Sequence, residues 1–303
     1  MKGYHDIVGD GGSRVLEQVA EQRARIADGL AEVRHLVAIG SGKGGVGKST
    51  LTLHLAGALR ARGLRIAILD ADFNGPSQAR MAGVQDALFV PGPHKVALPR
   101  TANGIGVFSM GSVIPESSAL DFESAAHGES HTWRATREFA LLGEILGSFE
   151  WGTLDVLLFD LPPGAERTVQ YADFFGPFDS AQGRDRVSFV LVTIPSDVSR
   201  GVVARSVAAL SKGPFGGAQG RPNRVLGYVE NMSGYYCRGC NAIKPLFPSE
   251  NASALDIPCL GTVPFDPELA RHCDRGIPFD ALSGTPVGRA LEQVAQNLLD
   301  NLS

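Results

Sequence analysis

The chain has 303 residues, of which 44% are hydrophobic, with 28 Lys and Arg against 32 Asp and Glu and a formal net charge of −4. That length suits one large domain or two small ones, and the apolar content is enough for a substantial core. The charge balance gives no electrostatic case for non-specific nucleic-acid or membrane binding. No apolar run approaches the ~20 residues of a membrane helix, and Met1 to Asp6 lacks the apolar segment of a secretion signal. The expectation is a cytoplasmic protein with neither nucleic acid nor membrane as a partner. Four cysteines are too few for a disulfide scaffold, so a close pair reads as metal-binding or redox-active.

Residues 13 to 34 are charged and helix-favouring, and Val15, Val19, Ile26, Leu30 and Val33 form a partial apolar stripe. His35 to Ile39 is a short β-branched apolar run, the pattern of a buried strand, and Leu51 to Arg62 repeats apolar residues at helical spacing before Gly63. Between them Gly42 to Ser49 matches G-x-x-x-x-G-K-[ST], the P-loop pattern. Glycines let backbone N–H groups turn inward around an anion, and the following helix N-terminus adds its positive dipole end. Lys48 can reach the β- and γ-phosphates, and the Ser49 hydroxyl can sit on Mg²⁺.

A second buried strand, Arg65 to Asp70, ends in acid and opens Asp70-Ala71-Asp72-Phe73-Asn74-Gly75-Pro76-Ser77. Two carboxylates just beyond a strand's carboxyl end lie where open α/β sheets bind ligands. Residues 84 to 131 read as loops with one strand at Ile105 to Ser109, and Phe139 to Phe149 as a helix. Leu154 to Asp160 is a third strand with a terminal acid, the Walker B arrangement for Mg²⁺ in a chain that already holds a P-loop. Gly176 to Arg184 recurs at Gly213 to Arg221, and both copies read as surface loops. A strand at Val187 to Ile194, a helix at 198–210 and a strand at Arg224 to Val229 follow, the last leading into Glu230-Asn231-Met232-Ser233. Alternating strands and helices argue for an α/β fold with a doubly wound, mostly parallel sheet. The expected division is an N-terminal helical extension, 1–34, and one P-loop domain, 35–303, that includes the Cys237 to Cys240 segment.

Cys237-Arg238-Gly239-Cys240 can ligate a soft metal or cluster, or form a redox disulfide. One chain supplies two thiolates, whereas a symmetric dimer supplies four. Cys259 and Cys273 lie in apolar or helical contexts and read as core residues. Val287 to Leu302 is amphipathic without a basic face, and so is expected to pack on the body.

Gly42-Lys43-Gly44-Gly45-Val46-Gly47-Lys48-Ser49-Thr50 resembles the deviant Walker A motif of the MinD/ParA, nitrogenase iron protein and Mrp/ApbC group. The resemblance implies that Lys43 reaches a phosphate bound by the partner subunit of an ATP-dependent homodimer. Asp70 to Ser77 is similar to the switch I segment of Mrp/ApbC proteins, where the position of Asp72 orients the attacking water. Glu230 to Ser233 with Cys237 and Cys240, Leu260 to Pro264 and Asp274 to Pro278 resemble the Mrp/ApbC iron–sulfur cluster carrier ATPases. That likeness implies an adenine contact for Asn231, Mg²⁺ at Ser49 and Asp160, and a [4Fe-4S] cluster shared between two subunits by Cys237 and Cys240. It also implies apo iron–sulfur proteins and cluster scaffold proteins as partners. Four departures stand out: Ala135-Thr136 in the family's W-R-G-P segment, Arg167 where switch II, here opening at Pro162-Pro163-Gly164, closes on Asp, Ile194-Pro195-Ser196 for the family's T-P-Q, and Leu246 to Ser249 in place of a glycine run. Rival readings are a MinD/ParA-type positioning or partition ATPase and an ATPase with structural zinc bridging the dimer.

Overall fold

Along each central strand the apolar residues alternate between two separate cores, because successive side chains of an extended chain point to opposite faces. Val37, Ile39, Ile66, Ile68, Val156, Leu158, Val190 and Val192 face one core, and Ala38, Ala67, Leu69, Leu157, Phe159, Phe189 and Leu191 face the other. A sheet buried on both faces needs such near-continuous apolar strands. The computed structural model describes residues 15–113, 131–180, 187–212, 223–247, 255–279 and 284–302.

In chain order the elements are α1 (Val15–Gly29), β1 (Val33–Ser41), α2 (Lys48–Ala61), β2 (Ile66–Asp70), α3 (Gln78–Met81), β3 (Val90–Pro91), β4 (Val96–Ala97) and β5 (Gly106–Phe108). Then come α4 (His131–Ser148), β6 (Phe149–Glu150), β7 (Leu154–Asp160), α5 (Ala165–Ser180), β8 (Ser188–Thr193) and α6 (Asp197–Leu210). The chain closes with β9 (Arg224–Cys237), β10 (Ala242–Lys244), β11 (Cys259–Phe265), α7 (Pro267–Asp274) and α8 (Pro286–Leu302). The main sheet runs β5-β2-β7-β1-β8-β9, with β11 paired parallel and β10 antiparallel to β9. Residues of α2, α3, α7 and α8 fill one core and residues of α1, α4, α5 and α6 the other. The α/β expectation therefore holds. Short β3, β4 and β6 form a separate small sheet.

Several local expectations are corrected. Val33 opens β1 rather than ending the first helix, and Val19 is exposed while Ile26 and Leu30 are buried against α4. Glu230 to Ser233 lie inside β9: Glu230 and Asn231 pair with Thr262 and Val263 of β11, and the ladder breaks register around Met232, at φ +55°, before Tyr235 pairs with Phe265. Residues 176–180 of the first repeat belong to α5, while the rest of that copy through 184, and the second copy, lie outside the described residues. Cys273 is buried as expected, but Cys259 is exposed: it starts the edge strand β11 opposite Tyr228. Helix α8 buries Leu291, Val294 and Leu298 and packs on β11 and α2.

Candidate nucleotide and thiol sites

Strand β1 delivers the phosphate loop at the carboxyl edge of the sheet, and β2 and β7 end beside it in acid. Asp70 and Asp160 stand on the same rung of the β2–β7 ladder, and Asp160 is also level with Ile39 of β1. Parallel pairing in this register is what converges the three motifs. The loop turns through Gly45 and Gly47 at φ +77° and +76°, left-handed angles that favour glycine. A Cβ on Gly47 would also meet Asn231 Nδ2 at 2.3 Å.

Lys48 is 6% exposed and forms a buried ion pair with Asp160 Oδ1; its ammonium also lies 3.3 Å from Ser49 Oγ. Thr52 Oγ1 donates to the Lys48 carbonyl at 2.9 Å and lies 3.3 Å from Asp160 Oδ1. Gln78, a residue the motifs do not flag, donates through Nε2 to Asp160 Oδ2 and to the Ser49 carbonyl, both at 2.9 Å. Asp70 is fully buried and accepts from the Ser77 and Gln78 N–H groups at 2.9 and 3.0 Å and from Ser109 Oγ at 2.9 Å. Burial, and then the charge of Asp160, push its carboxyl up to about 7. Half-exposed Asp72 accepts the Gly75 N–H at 3.2 Å.

Mg²⁺, which this motif set implies, prefers oxygen ligands. Ser49 Oγ and the Asp160 carboxylate offer them, and Gln78 Oε1 is buried without a partner among the described residues. An orphaned acceptor among oxygen donors fits a hydrated hard cation. Lys43 is half-buried on the loop and takes part in no ion pair among the described residues. Asn231 Nδ2 donates to the Val46 carbonyl at 2.9 Å, so its amide grips the phosphate loop in this structure.

The same strand that carries Asn231 ends six residues later at Cys237. Cys237 is half-buried and Cys240 exposed, and the Cys240 Sγ lies 4.0 Å from the Cys237 carbonyl. The Cys240 N–H and thiol, then the Gly239 N–H, hold the Cys237 thiol below its ordinary range. No cluster of three or more His, Cys, Asp or Glu suited to a metal exists among the described residues, so this chain's thiol pair stands as two ligands.

Pro162 to Gly164 lead into α5, whose third residue is Arg167. It pairs with Glu138 of α4 and lies over the rings of Phe139 and Tyr171, 5.9 and 5.7 Å from their centroids. The Tyr171 hydroxyl is 2.8 Å from both Glu138 Oε1 and the carbonyl of Ala71, the residue between the two switch I acids.

Residues 32–299 match the family model described as NUBPL iron-transfer P-loop NTPase. The human cytosolic Fe-S cluster assembly factor NUBP2 is 34% identical over 283 residues, covering 89% of this chain and 94% of that protein. The iron-sulfur cluster carrier protein of Methanocaldococcus jannaschii is 31% identical over 268 residues, covering 86% and 83%. Among solved structures, a nucleotide-binding protein from Archaeoglobus fulgidus in complex with ADP has a TM-score of 0.66 at 27% identity, covering 85% and 93%. The cell division ATPase MinD of Pyrococcus furiosus, at a TM-score of 0.56 and 20% identity over 88% and 98%, shares the fold. The chain belongs to the iron-transfer P-loop NTPase family.

Proposed function

We propose that the protein is an ATP-dependent carrier that holds a [4Fe-4S] cluster between two subunits through Cys237 and Cys240 and passes it to apo iron–sulfur proteins. The observation that carries this is β9 itself: one strand grips the phosphate loop through Asn231 and presents the thiol pair at its end. Two thiolates per chain leave a tetrathiolate site incomplete, and a two-fold axis completes it. The names of the relatives, a cluster carrier and cytosolic assembly factors, support the cargo and a cytosolic setting. Residues 35–303 form the ATPase unit in this reading, with 1–34 as its helical extension.

For hydrolysis, Gly42 to Thr50 cradles the phosphates while Lys48 stabilises charge on the transferred group. Ser49 and Asp160 would hold Mg²⁺, which neutralises phosphate charge when bound. Asp72 orients the attacking water, and Lys43 serves the partner subunit's nucleotide. Asn231 exchanges its bond to Val46 for the base.

Anaerobic reconstitution with ferrous iron and sulfide, followed by visible absorption and metal analysis, tests the cargo. The reading expects about four iron and four sulfide per dimer. Stoichiometric zinc with no iron or sulfide taken up would favour the structural-zinc alternative and overturn the carrier.

A further inference from the structure

Arg238, inside the C-x-x-C turn, reaches out of it to Asp266. Its Nε donates to Asp266 Oδ1 at 3.3 Å and its Nη2 to Oδ2 at 2.8 Å. Asp266 is fully buried and caps α7, accepting the Glu268 N–H at 3.0 Å. A two-pronged guanidinium–carboxylate contact on a buried partner fixes direction as well as distance. The thiol turn is therefore fastened to the N-terminus of α7.

The other end of α7 meets the nucleotide site at two points. A Cβ on Gly83, just past α3, would lie 2.2 Å from the Gly276 carbonyl, and one on Gly276 would lie 2.7 Å from Gly83 Cα. Backbone touches backbone there, with no flexible side chain to absorb a shift. Two residues on, the Pro278 carbonyl lies 3.1 Å from His54 Nε2, and His54 Nδ1 lies 2.7 Å from the Thr50 carbonyl on the phosphate-loop helix. Leu269 and Cys273 lock α7 into the core between these ends. Gln78, which opens α3, bonds Asp160 and the Ser49 carbonyl. A phosphate that draws on the Lys48 ammonium, or a cation that draws on the Asp160 carboxylate, changes the group to which Gln78 is bonded. Loading the cradle therefore bears directly on the first residue of α3.

We propose that α7 couples the two sites: the state of the phosphate cradle, read by α3 and His54, is carried along α7 to the Asp266–Arg238 joint and resets how Cys237 and Cys240 are presented. A packed, contiguous element whose two ends each touch one site is the physical form such coupling takes, and its strength is a ratio measurable at either site. The purpose of the coupling rests on the cargo reading, but the mechanical claim does not.

The test uses the whole, reduced, metal-free protein and measures iodoacetamide labelling of each cysteine by peptide mass mapping, with and without Mg²⁺ and a non-hydrolysable ATP analogue. Nucleotide should change the labelling rate of Cys237 and Cys240 by about five-fold or more, while exposed Cys259 serves as an internal reference. In Arg238→Gln and in Asp266→Asn, which keeps an α7 cap, that ratio should fall to near unity while the analogue still binds. A ratio that persists in both variants, or no nucleotide dependence in the unaltered protein, would overturn the coupling. Because the label reads thiols without iron, a chain that takes up zinc instead of a cluster fails the carrier reading and still tests this one.

Discussion

Lys48 and Asp160 form the pair on which the site depends at the scale of single residues. Both are buried, so each is the other's counter-charge inside the sheet. Lys48→Ala should therefore do two things. It should remove ATP hydrolysis, and it should lower the unfolding free energy by about 3 kcal/mol in urea titration, since a buried carboxylate is left with Gln78 and Thr52 alone. An inactive variant of unchanged stability would show that the pair does not form in solution. The cysteines separate by the same logic of environment. Burial pushes the Cys273 thiol up to about 11, and the thiolate is the form that attacks. A raised thiol pKa means thiolate accumulates only as pH climbs toward that value. At pH 8, therefore, iodoacetamide should modify Cys237, Cys240 and exposed Cys259 and spare Cys273 until denaturant is added. Labelling of Cys273 in the native protein at a rate near that of Cys259 would contradict its placement.

At the scale of elements, switch I is braced from behind. The Tyr171 hydroxyl touches the Ala71 carbonyl and Glu138, and Arg167 closes the set by pairing with Glu138. This makes α5 and α4 the backing for Asp72. Tyr171→Phe keeps the packed ring and loses the contact, so hydrolysis should slow by about ten-fold, with nucleotide affinity almost unchanged in calorimetry. Equal losses in both would place Tyr171 in binding instead. The brace also shows where sequence reading stops. The strand, glycine loop and helix from His35 to Ala61 are contiguous, so periodicity and one motif were enough to read them. Gln78 meets Asp160 across 82 positions, and Glu138 meets Tyr171 across 33, and neither spacing leaves a local pattern. Arg167 stood out only as a departure from switch II, and its partner on α4 explains it. Glu230 and Asn231 belong to a strand because Thr262 and Val263 pair with them, and no local pattern in the sequence carries that pairing. Cys259 misled because Leu260 beside it is buried, but the first residue of an edge strand is not.

For the whole molecule the dimer is the decisive question, and two features of one chain ask for it. The thiol pair stands as two ligands, and Lys43 sits on the loop without an ion-pair partner among the described residues. If Lys43 acts across the two-fold axis, each active site draws Lys48 from one chain and Lys43 from the other. Lys43→Ala and Lys48→Ala homodimers should then both be inactive. In a mixed dimer, one site has Lys48 from the first variant and Lys43 from the second and is whole, while the other site lacks both. Subunits exchanged at equal concentration form mixed dimers half the time, so mixing should restore about a quarter of the unaltered ATPase rate. A lysine that acts within its own chain predicts no recovery, because each chain in the mixed dimer then lacks one of its own two lysines. Lys43→Ala retaining full activity alone would remove the cross-subunit role altogether. Mixed samples of Cys237→Ser with unaltered chain, scored by iron content, should lose cluster in the mixed dimers as well as in the variant. Agreement of the two mixing experiments would tie nucleotide and cargo to the same axis.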